Sequence, residues 1–129
     1  MTGKKEDLPM RKVIAIAGFL LLTVGPSYAD DPLVTDADKY TLRVENERVR
    51  VLEYHDKPGE KTNMHDHPDF VLYALSAFKR KLTFPDGKTV TREFKAGDVI
   101  FMKGQTHVGE NIGDSDTNVV IVELKQSAK

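Results

Sequence analysis

Cysteine is absent from this 129-residue chain, and its absence excludes several kinds of chemistry. No thiol is present to form a disulfide, to ligate zinc or an iron–sulfur cluster, or to act as a nucleophile. Any metal site must therefore use histidine and carboxylate side chains. A chain without cysteine also suits an oxidising compartment, where stray thiols form wrong disulfides.

The sequence also lacks a basic stripe of the kind that binds nucleic acid. The formal net charge is -1, and most basic residues stand singly among acidic ones, so we expect no nucleic-acid partner. The one short basic cluster, Lys79, Arg80 and Lys81, is interpreted as a solvated strand edge. With 40% hydrophobic and 30% charged residues, the composition favours one globular domain.

No apolar run is long enough to cross a bilayer, which takes about 20 residues. The longest run, residues 13–25, follows two basic residues and precedes small residues at Ser27 and Ala29, as is typical of a signal peptide. We predict that residues 1–29 are a signal peptide cleaved after Ala29, that the protein is secreted or periplasmic, and that it has no permanent membrane anchor. Met10 is an alternative start.

The rest of the chain indicates short strands separated by turns, with no helical period and no internal repeat. Turns are expected at 85–87 ("PDG") and 95–98 ("KAGD"), and a loop at 103–107. The predicted strands are residues 40–46, 48–55, 70–78, 79–84, 88–94, 99–102 and 118–124. The sequence thus predicts an all-β domain over residues 40–125, a sandwich or closed barrel. Residues 30–39 are polar and are predicted to form a flexible arm or an edge strand.

Two histidines, His65 and His67, stand two residues apart in "NMHDHPDF". In a strand they would face the same side, where two imidazoles can lie about 2.0–2.1 Å from one ion. Paired histidines near a turn can equally be solvated or hydrogen-bonded. The spacing alone leaves both interpretations open.

The surrounding sequence resembles the cupin superfamily. The first cupin motif has a Gly, five residues and then HxH, which matches Gly59, His65 and His67. The second motif matches "GDVIFMKGQTHVGEN", with Gly97, Gly104, His107 and Asn111 in order. The resemblance covers residues 44–124 and implies a small single-domain, RmlC-like cupin with a double-stranded β-helix (jelly-roll) fold. It also implies that His65, His67 and His107 hold a divalent metal ion inside the barrel.

The sequence departs from the family pattern at the acidic ligand of the first motif. No Glu stands near Val71 or Leu72, and Asp69 comes slightly early. The family pattern is therefore present as a three-histidine variant that lacks this Glu. Three imidazoles would leave the ion its full charge and open coordination positions.

Several other residues are candidates for contacts with the ligand histidines or a substrate. Glu53 and His55 share one strand face and could hydrogen-bond a ligand histidine, or lie in solvent. Asn111 shares the face of His107 and could bind substrate or stabilise a turn. Tyr73, with Tyr54, is a nearby hydroxyl that could contribute an acid function.

The remaining polar and aromatic residues have simpler interpretations. Glu110 is expected to form an external ion pair, and the nearest acids to the histidines, Asp66 and Asp69, lie in a loop of unknown direction. The large strand side chains are expected to form the core or line a pocket; they are Phe70, Tyr73, Phe78, Phe84, Phe94, Phe101 and Met102.

Two functions are favoured, and a structural jelly-roll without metal is a third alternative. The protein is either a metal-dependent enzyme, with dioxygenase-like activity or an isomerase or hydrolase step, or a non-catalytic barrel that binds a small molecule. The metal could be iron, zinc, copper or manganese; export before folding favours zinc or copper. The resemblance also allows a homodimer paired through residues 40–46.

Overall fold

The computed structural model describes residues 2–3 and 30–126, most of which lie in nine β-strands. One helical turn, α1 (Pro32–Thr35), precedes them. The strands are Tyr40–Glu45 (β1), Val49–Asp56 (β2), His65–His67 (β3), Phe70–Ala74 (β4), Phe78–Thr83 (β5), Thr89–Phe94 (β6), Val99–Met102 (β7), Gln105–Asn111 (β8) and Thr117–Leu124 (β9). The all-β prediction is confirmed.

The strands form two antiparallel sheets. One has the order β1-β2-β9-β4-β7 and the other β3-β8-β5-β6. Apolar side chains from both sheets meet in one core, with Leu52, Phe70 and Ile121 from the first sheet and Phe78 and Leu82 from the second. The core therefore lies between the two sheets.

Three charged residues occupy inward positions in otherwise apolar strands. Along β9, buried side chains alternate with half-buried ones, and the buried face ends in Glu123. Arg80 is flanked in the same way on β5, and Asp56 ends the buried face of β2. Because inward charges are costly unless paired, these positions mark polar groups with a structural or functional role.

Glycines make the tight turns that the sequence predicted. Gly87, after β5, and Gly97, after β6, have φ angles of 84° and 91°. Residues with a side chain larger than a hydrogen atom rarely adopt this left-handed backbone conformation. The turn at Gly87 joins β5 to β6 within one sheet, and the turn at Gly97 leads the chain to β7 in the other sheet.

Two predicted segments of the barrel, residues 70–78 and 103–107, differ from the structure. Residues 70–78 are not one strand, because β4 and β5 belong to different sheets and the chain bends between them. The predicted loop at 103–107 becomes strand from Gln105, since β8 pairs with both β3 and β5.

Residues 30–39 form neither a loose arm nor an edge strand. Asp31 caps α1 by accepting a hydrogen bond from the Leu33 amide at 2.8 Å, a common way of satisfying a free N–H group. Asp36 is buried and accepts a hydrogen bond from the Asn63 amide at 2.9 Å. The segment is thus packed next to β3.

Apart from residues 2–3, the predicted signal peptide lies outside the described residues, and its cleavage stays a prediction. Within the part of the chain that the structure describes, no helix has the length and apolar character needed to span a membrane.

Candidate metal centre

Two paired strands bring three histidines together. In the register of β3 and β8, His65 lies opposite His107, and alternation along β3 places His67 on the same inner side as His65. All three side chains are buried. One nitrogen from each lies within 4.8 Å of the others, so this cluster could hold a metal ion.

Each histidine is oriented from behind by an oxygen atom. The Nδ1 of His65 lies 2.8 Å from the carbonyl oxygen of Asn63, and that of His107 lies 3.1 Å from Oε1 of Gln105. The Nδ1 of His67 lies 2.6 Å from a carboxylate oxygen of Glu123. Because these oxygens can only accept, each Nδ1 carries the proton and each Nε2 presents a lone pair.

The lone pairs face the same small space. The Nε2 atoms of His65 and His67 are 3.0 Å apart, and with both Nδ1 atoms protonated neither ring has a proton to donate to the other. Two nitrogens about 2.1 Å from one ion, at about a right angle, would be about 3.0 Å apart. The His65–His67 pair therefore has the spacing of two ligands of one transition-metal ion, and His107 supplies a third donor atom within 4.8 Å.

Burial keeps two of the rings neutral. Desolvation, and then the neighbouring His67, lower the pKa of His65 to about 4. Desolvation and the other two histidines lower the pKa of His107 to about 2. Neutral imidazole is the form that binds metals, so both rings are ready to act as ligands near neutral pH.

The carboxylate behind His67 belongs to Glu123, which the sequence analysis missed. Burial opposes its ionisation, but hydrogen bonds from His67 and Arg50 outweigh that effect and hold the pKa of Glu123 below its usual value. Arg50 is 2.7 Å from Glu123 and also pairs with Asp31. The sequence contained a signal for this residue, since Glu123 is in phase with the apolar face of β9.

Tyr40 and Asp36 complete the surroundings of His65. The Tyr40 hydroxyl is 3.2 Å from Nε2 of His65 and can donate to it, while Asp36 lies 3.6 Å from Nδ1. Burial raises the pKa of Tyr40 well above its usual value, so the hydroxyl keeps its proton. Neither residue was a candidate in the sequence analysis, which considered Tyr54 and Tyr73 instead.

Two of the histidines, His67 and His107, border a cavity of about 40 Å³ between the sheets. Such a volume accommodates a few water molecules or a very small ligand. Most of the lining is apolar, including Phe70 and Leu72. The polar lining includes His67, His107, Tyr40, Tyr54 and Arg80.

A second buried polar group lies beside this cavity. Asp56 accepts hydrogen bonds from Arg80 at 2.8 Å, from Asn111 at 3.1 Å and from the Tyr54 hydroxyl. Arg80 also donates to the Tyr54 oxygen at 3.0 Å. The prediction that Lys79, Arg80 and Lys81 form a solvated edge is wrong for Arg80, because β5 lies inside its sheet and the Arg80 side chain points inward.

Asn111 has the turn-stabilising role that the sequence left open. Besides its bond to Asp56, it donates to the Ser115 carbonyl at 2.9 Å and accepts from the Gly113 amide at 3.0 Å. These contacts fix the turn between β8 and β9. They also connect that turn to the Arg80 network.

Glu53, His55 and Tyr73 do not lie at the centre. Glu53 pairs with Arg43, and His55 with Asp116, on the exposed face of β2. Tyr73 is 43% exposed. The structure does not bring these residues to the three histidines, because along β2 alternation turns Leu52, Tyr54 and Asp56 inward instead.

Other outward residues have partners of their own. The expected external ion pair of Glu110 is confirmed, with Lys81 at 3.1 Å. Asp66 accepts from Thr106, and Asp69 accepts from the Gly104 amide at 2.7 Å. Of the large side chains expected in the core or in a pocket wall, Phe70, Phe78 and Met102 are buried and Phe84 and Phe94 are partly buried against the core, whereas Tyr73 and Phe101 are exposed.

The fold and the inward histidine cluster define a small β-barrel with a possible metal site. Scans against protein-family models and against curated proteins found no match. The chain is similar to a solved cupin domain from Bordetella pertussis Tohama I. The two are 30% identical over 67% of this chain and 92% of that one, with a TM-score of 0.62.

Two further solved structures support the fold alone. A protein with a double-stranded β-helix domain from Klebsiella pneumoniae is 24% identical, over 69% of this chain and 78% of that one, with a TM-score of 0.52. An RmlC-like cupin family protein from Methanocaldococcus jannaschii is 19% identical, over 69% and 83%, with a TM-score of 0.51. The 30% identity with the Bordetella pertussis domain shows that this chain belongs to the cupin superfamily. The predicted double-stranded β-helix is confirmed.

Proposed function

We propose that this protein is an exported cupin that binds one divalent transition-metal ion through His65, His67 and His107, with a small molecule bound beside the ion. The observation that carries the proposal is the orientation of the three rings. Oxygen atoms hold every Nδ1, so three lone pairs converge in a buried space. Converging lone pairs repel one another unless a cation or a donated proton lies between them.

The hydrogen bonds made by the Nδ1 atoms of the three rings support the same function. A carboxylate or carbonyl behind a histidine fixes the tautomer and raises its basicity toward a metal. Glu123 serves His67 in this way and is itself held by Arg50. A histidine cluster that served only to fill the core would not need a buried ion pair behind it.

Export is proposed from the sequence of residues 1–29. The short apolar run, the basic residues before it and the small residues before the cleavage position support a secreted or periplasmic protein. The absence of cysteine agrees with that location. Zinc or copper is the metal that a protein folding outside the cytoplasm would acquire most readily.

A dioxygenase-like activity is the second candidate. A bound ion would supply Lewis acidity or, if redox-active, oxygen chemistry at its open positions. Two features of the chain favour this candidate: the donor set is neutral, and the cavity beside it is mostly apolar. The nearest carboxylates, Glu123 and Asp36, already accept hydrogen bonds, so neither stands free as a general base.

Thermal unfolding with and without zinc tests the binding proposal. A metal that binds only the folded state, at 100 times its dissociation constant, adds about 2.7 kcal/mol to the unfolding free energy. We expect this increment in the wild type and in His55→Ala, whose histidine is exposed. His65→Ala/His107→Ala should lose it, and an equal increment in all three proteins would contradict the proposal.

A further inference from the structure

Arg80 is a buried cation beside the proposed metal centre, and the role given to the three histidines does not use it. Its side chain is only 11% exposed and lines the same cavity as His67 and His107. The guanidinium therefore borders the space that two of the three histidines line.

The strand that carries His107 makes room for this guanidinium. A Cβ atom on Gly109 would lie 2.3 Å from Nη2 of Arg80 and 2.6 Å from its Nε. Only a residue without a side chain can stand at this point of β8 while Arg80 lies against it. The placement of Arg80 in the cavity is therefore built into two strands.

The contacts of Arg80 leave part of its hydrogen-bonding capacity unused. A guanidinium has five N–H donors. Among the described residues its side-chain acceptors are Asp56 and the Tyr54 hydroxyl, and its Cζ atom lies 4.6 Å from the centre of the Tyr54 ring. Asp56 also accepts from Tyr54 and Asn111, so its charge is shared among three donors.

Tyr40 supplies a second donor to the same space. Its ring packs 4.6 Å from that of Tyr54, and its hydroxyl has Nε2 of His65 as its hydrogen-bond partner. A metal ion that takes this lone pair leaves the hydroxyl free to donate elsewhere. The cavity would then present the buried Arg80 guanidinium, a phenol O–H and a metal within a mostly apolar wall, to which the exposed Arg92 also contributes.

These observations point to a ligand class, and we propose that the cavity binds a small carboxylate of about the size of acetate, held by Arg80 and Tyr40 beside the three histidines. Guanidinium and carboxylate have opposite charges, and their planar groups can form two parallel hydrogen bonds. The cavity volume of about 40 Å³ and the apolar side chains limit the ligand to a short, unbranched anion. This inference rests on the metal-binding function proposed above.

Calorimetric titration of acetate into the zinc-loaded protein, at constant ionic strength, tests the inference. The decisive variant is Arg80→Gln/Asp56→Asn, which removes both charges of the buried pair and so leaves no unpaired charge in the interior. Tyr40→Phe is the second variant. The matched control is Lys79→Gln, which removes a positive charge from the neighbouring position on β5, where the side chain pairs with Glu93 outside the barrel.

We expect acetate to bind the wild type and Lys79→Gln with equal affinity. Loss of a charge-assisted hydrogen bond should weaken binding about tenfold to a hundredfold in the Arg80 double variant, and less in Tyr40→Phe. Zinc content and melting temperature, measured on the same samples, show whether each variant retains its centre and its fold. If the double variant is unfolded, Tyr40→Phe and Arg80→Lys, which keeps the charge but loses the planar fork, supply the comparison.

Two results would overturn the inference. One is a folded, zinc-loaded wild type that binds no acetate, and the other is equal affinity in the wild type and the folded Arg80 variants. In both cases the metal-binding function would stand. A wild type that takes up no zinc would instead overturn that function, and this inference with it.

Discussion

At the scale of single residues, Glu123 decides how firmly His67 is held. It accepts the Nδ1 proton of His67 at 2.6 Å and pairs with Arg50 at 2.7 Å, in surroundings that exclude water. A carboxylate in this position makes the opposite ring nitrogen a stronger metal ligand. Its influence on a bound ion is therefore indirect but large.

Glu123→Gln should weaken metal binding without dispersing the cluster. The amide oxygen can still accept the Nδ1 proton, but the negative charge is lost, and we expect an affinity about tenfold to a hundredfold lower in a zinc titration. The control is Glu110→Gln, which changes a glutamate that faces outward and pairs with Lys81. Equal zinc affinities in the two variants would show that the carboxylate does not support the ligand.

The three histidines could be predicted from sequence, because their spacing is regular and each motif is local. Glu123 and Arg80 could not be found in that way, since the residues they contact lie far away along the chain. Glu123 is 56 residues from His67. A weaker signal was nevertheless present, as each is a charged residue in phase with the apolar face of its strand.

At the scale of elements, the segment before the first strand supports the strand that carries His65 and His67. Asp36 follows α1 and accepts hydrogen bonds from the main-chain amide of Asn63 and from its side chain. Asn63 in turn provides the carbonyl that orients His65. Composition predicted only that this stretch was polar, because the contacts that order it come from Asn63, which lies 27 residues after Asp36 and just before β3.

Removal of the Asp36 side chain should therefore destabilise the fold. In Asp36→Ala a main-chain N–H next to β3 loses its acceptor, which typically costs about 1–3 kcal/mol. We expect this loss in the unfolding free energy measured with urea. Asp38→Ala changes an exposed residue and should have almost no effect; the element has no supporting role if the two variants are equally stable.

At the scale of the whole molecule, the barrel encloses ionisable groups that titrate differently once it unfolds. Unfolding restores His65 and His107 to a pKa near 6.5, from about 4 and about 2. Between these values the unfolded chain binds more protons than the folded one, so acid favours unfolding. Asp56 and Glu123 act in the same direction at lower pH, since the pKa of each is lowered in the fold.

The metal-free protein should thus lose stability as the pH falls below about 6.5, and continue to lose it toward pH 4. Urea unfolding at a series of pH values, in the presence of a chelator, measures this slope. His107→Gln removes one of the two groups and should make the slope shallower, whereas His55→Gln should not. A stability that stays constant from pH 7 to about pH 5 would contradict the burial of neutral histidines.

The fold as a whole was predictable, because alternation, turn residues and the two motifs all indicated the same barrel. Which side chains point into the interior of the barrel was harder to predict. Inward positions of a strand follow from its register, and the sequence does not give the register directly. For this reason Glu53, His55 and Tyr73 were proposed for the site, while Tyr40 and Arg80, which line its cavity, were overlooked.

The measurement that tests the central claim most directly is elemental analysis of the protein, purified without a chelator or an affinity metal. Three proteins are compared: the wild type, His65→Ala/His107→Ala and His55→Ala. A metal centre made by the three buried histidines requires about one equivalent of a transition metal in the wild type and in His55→Ala, and almost none in the double variant. Equal metal content in all three proteins, or no uptake by the wild type even after reconstitution, would contradict the claim.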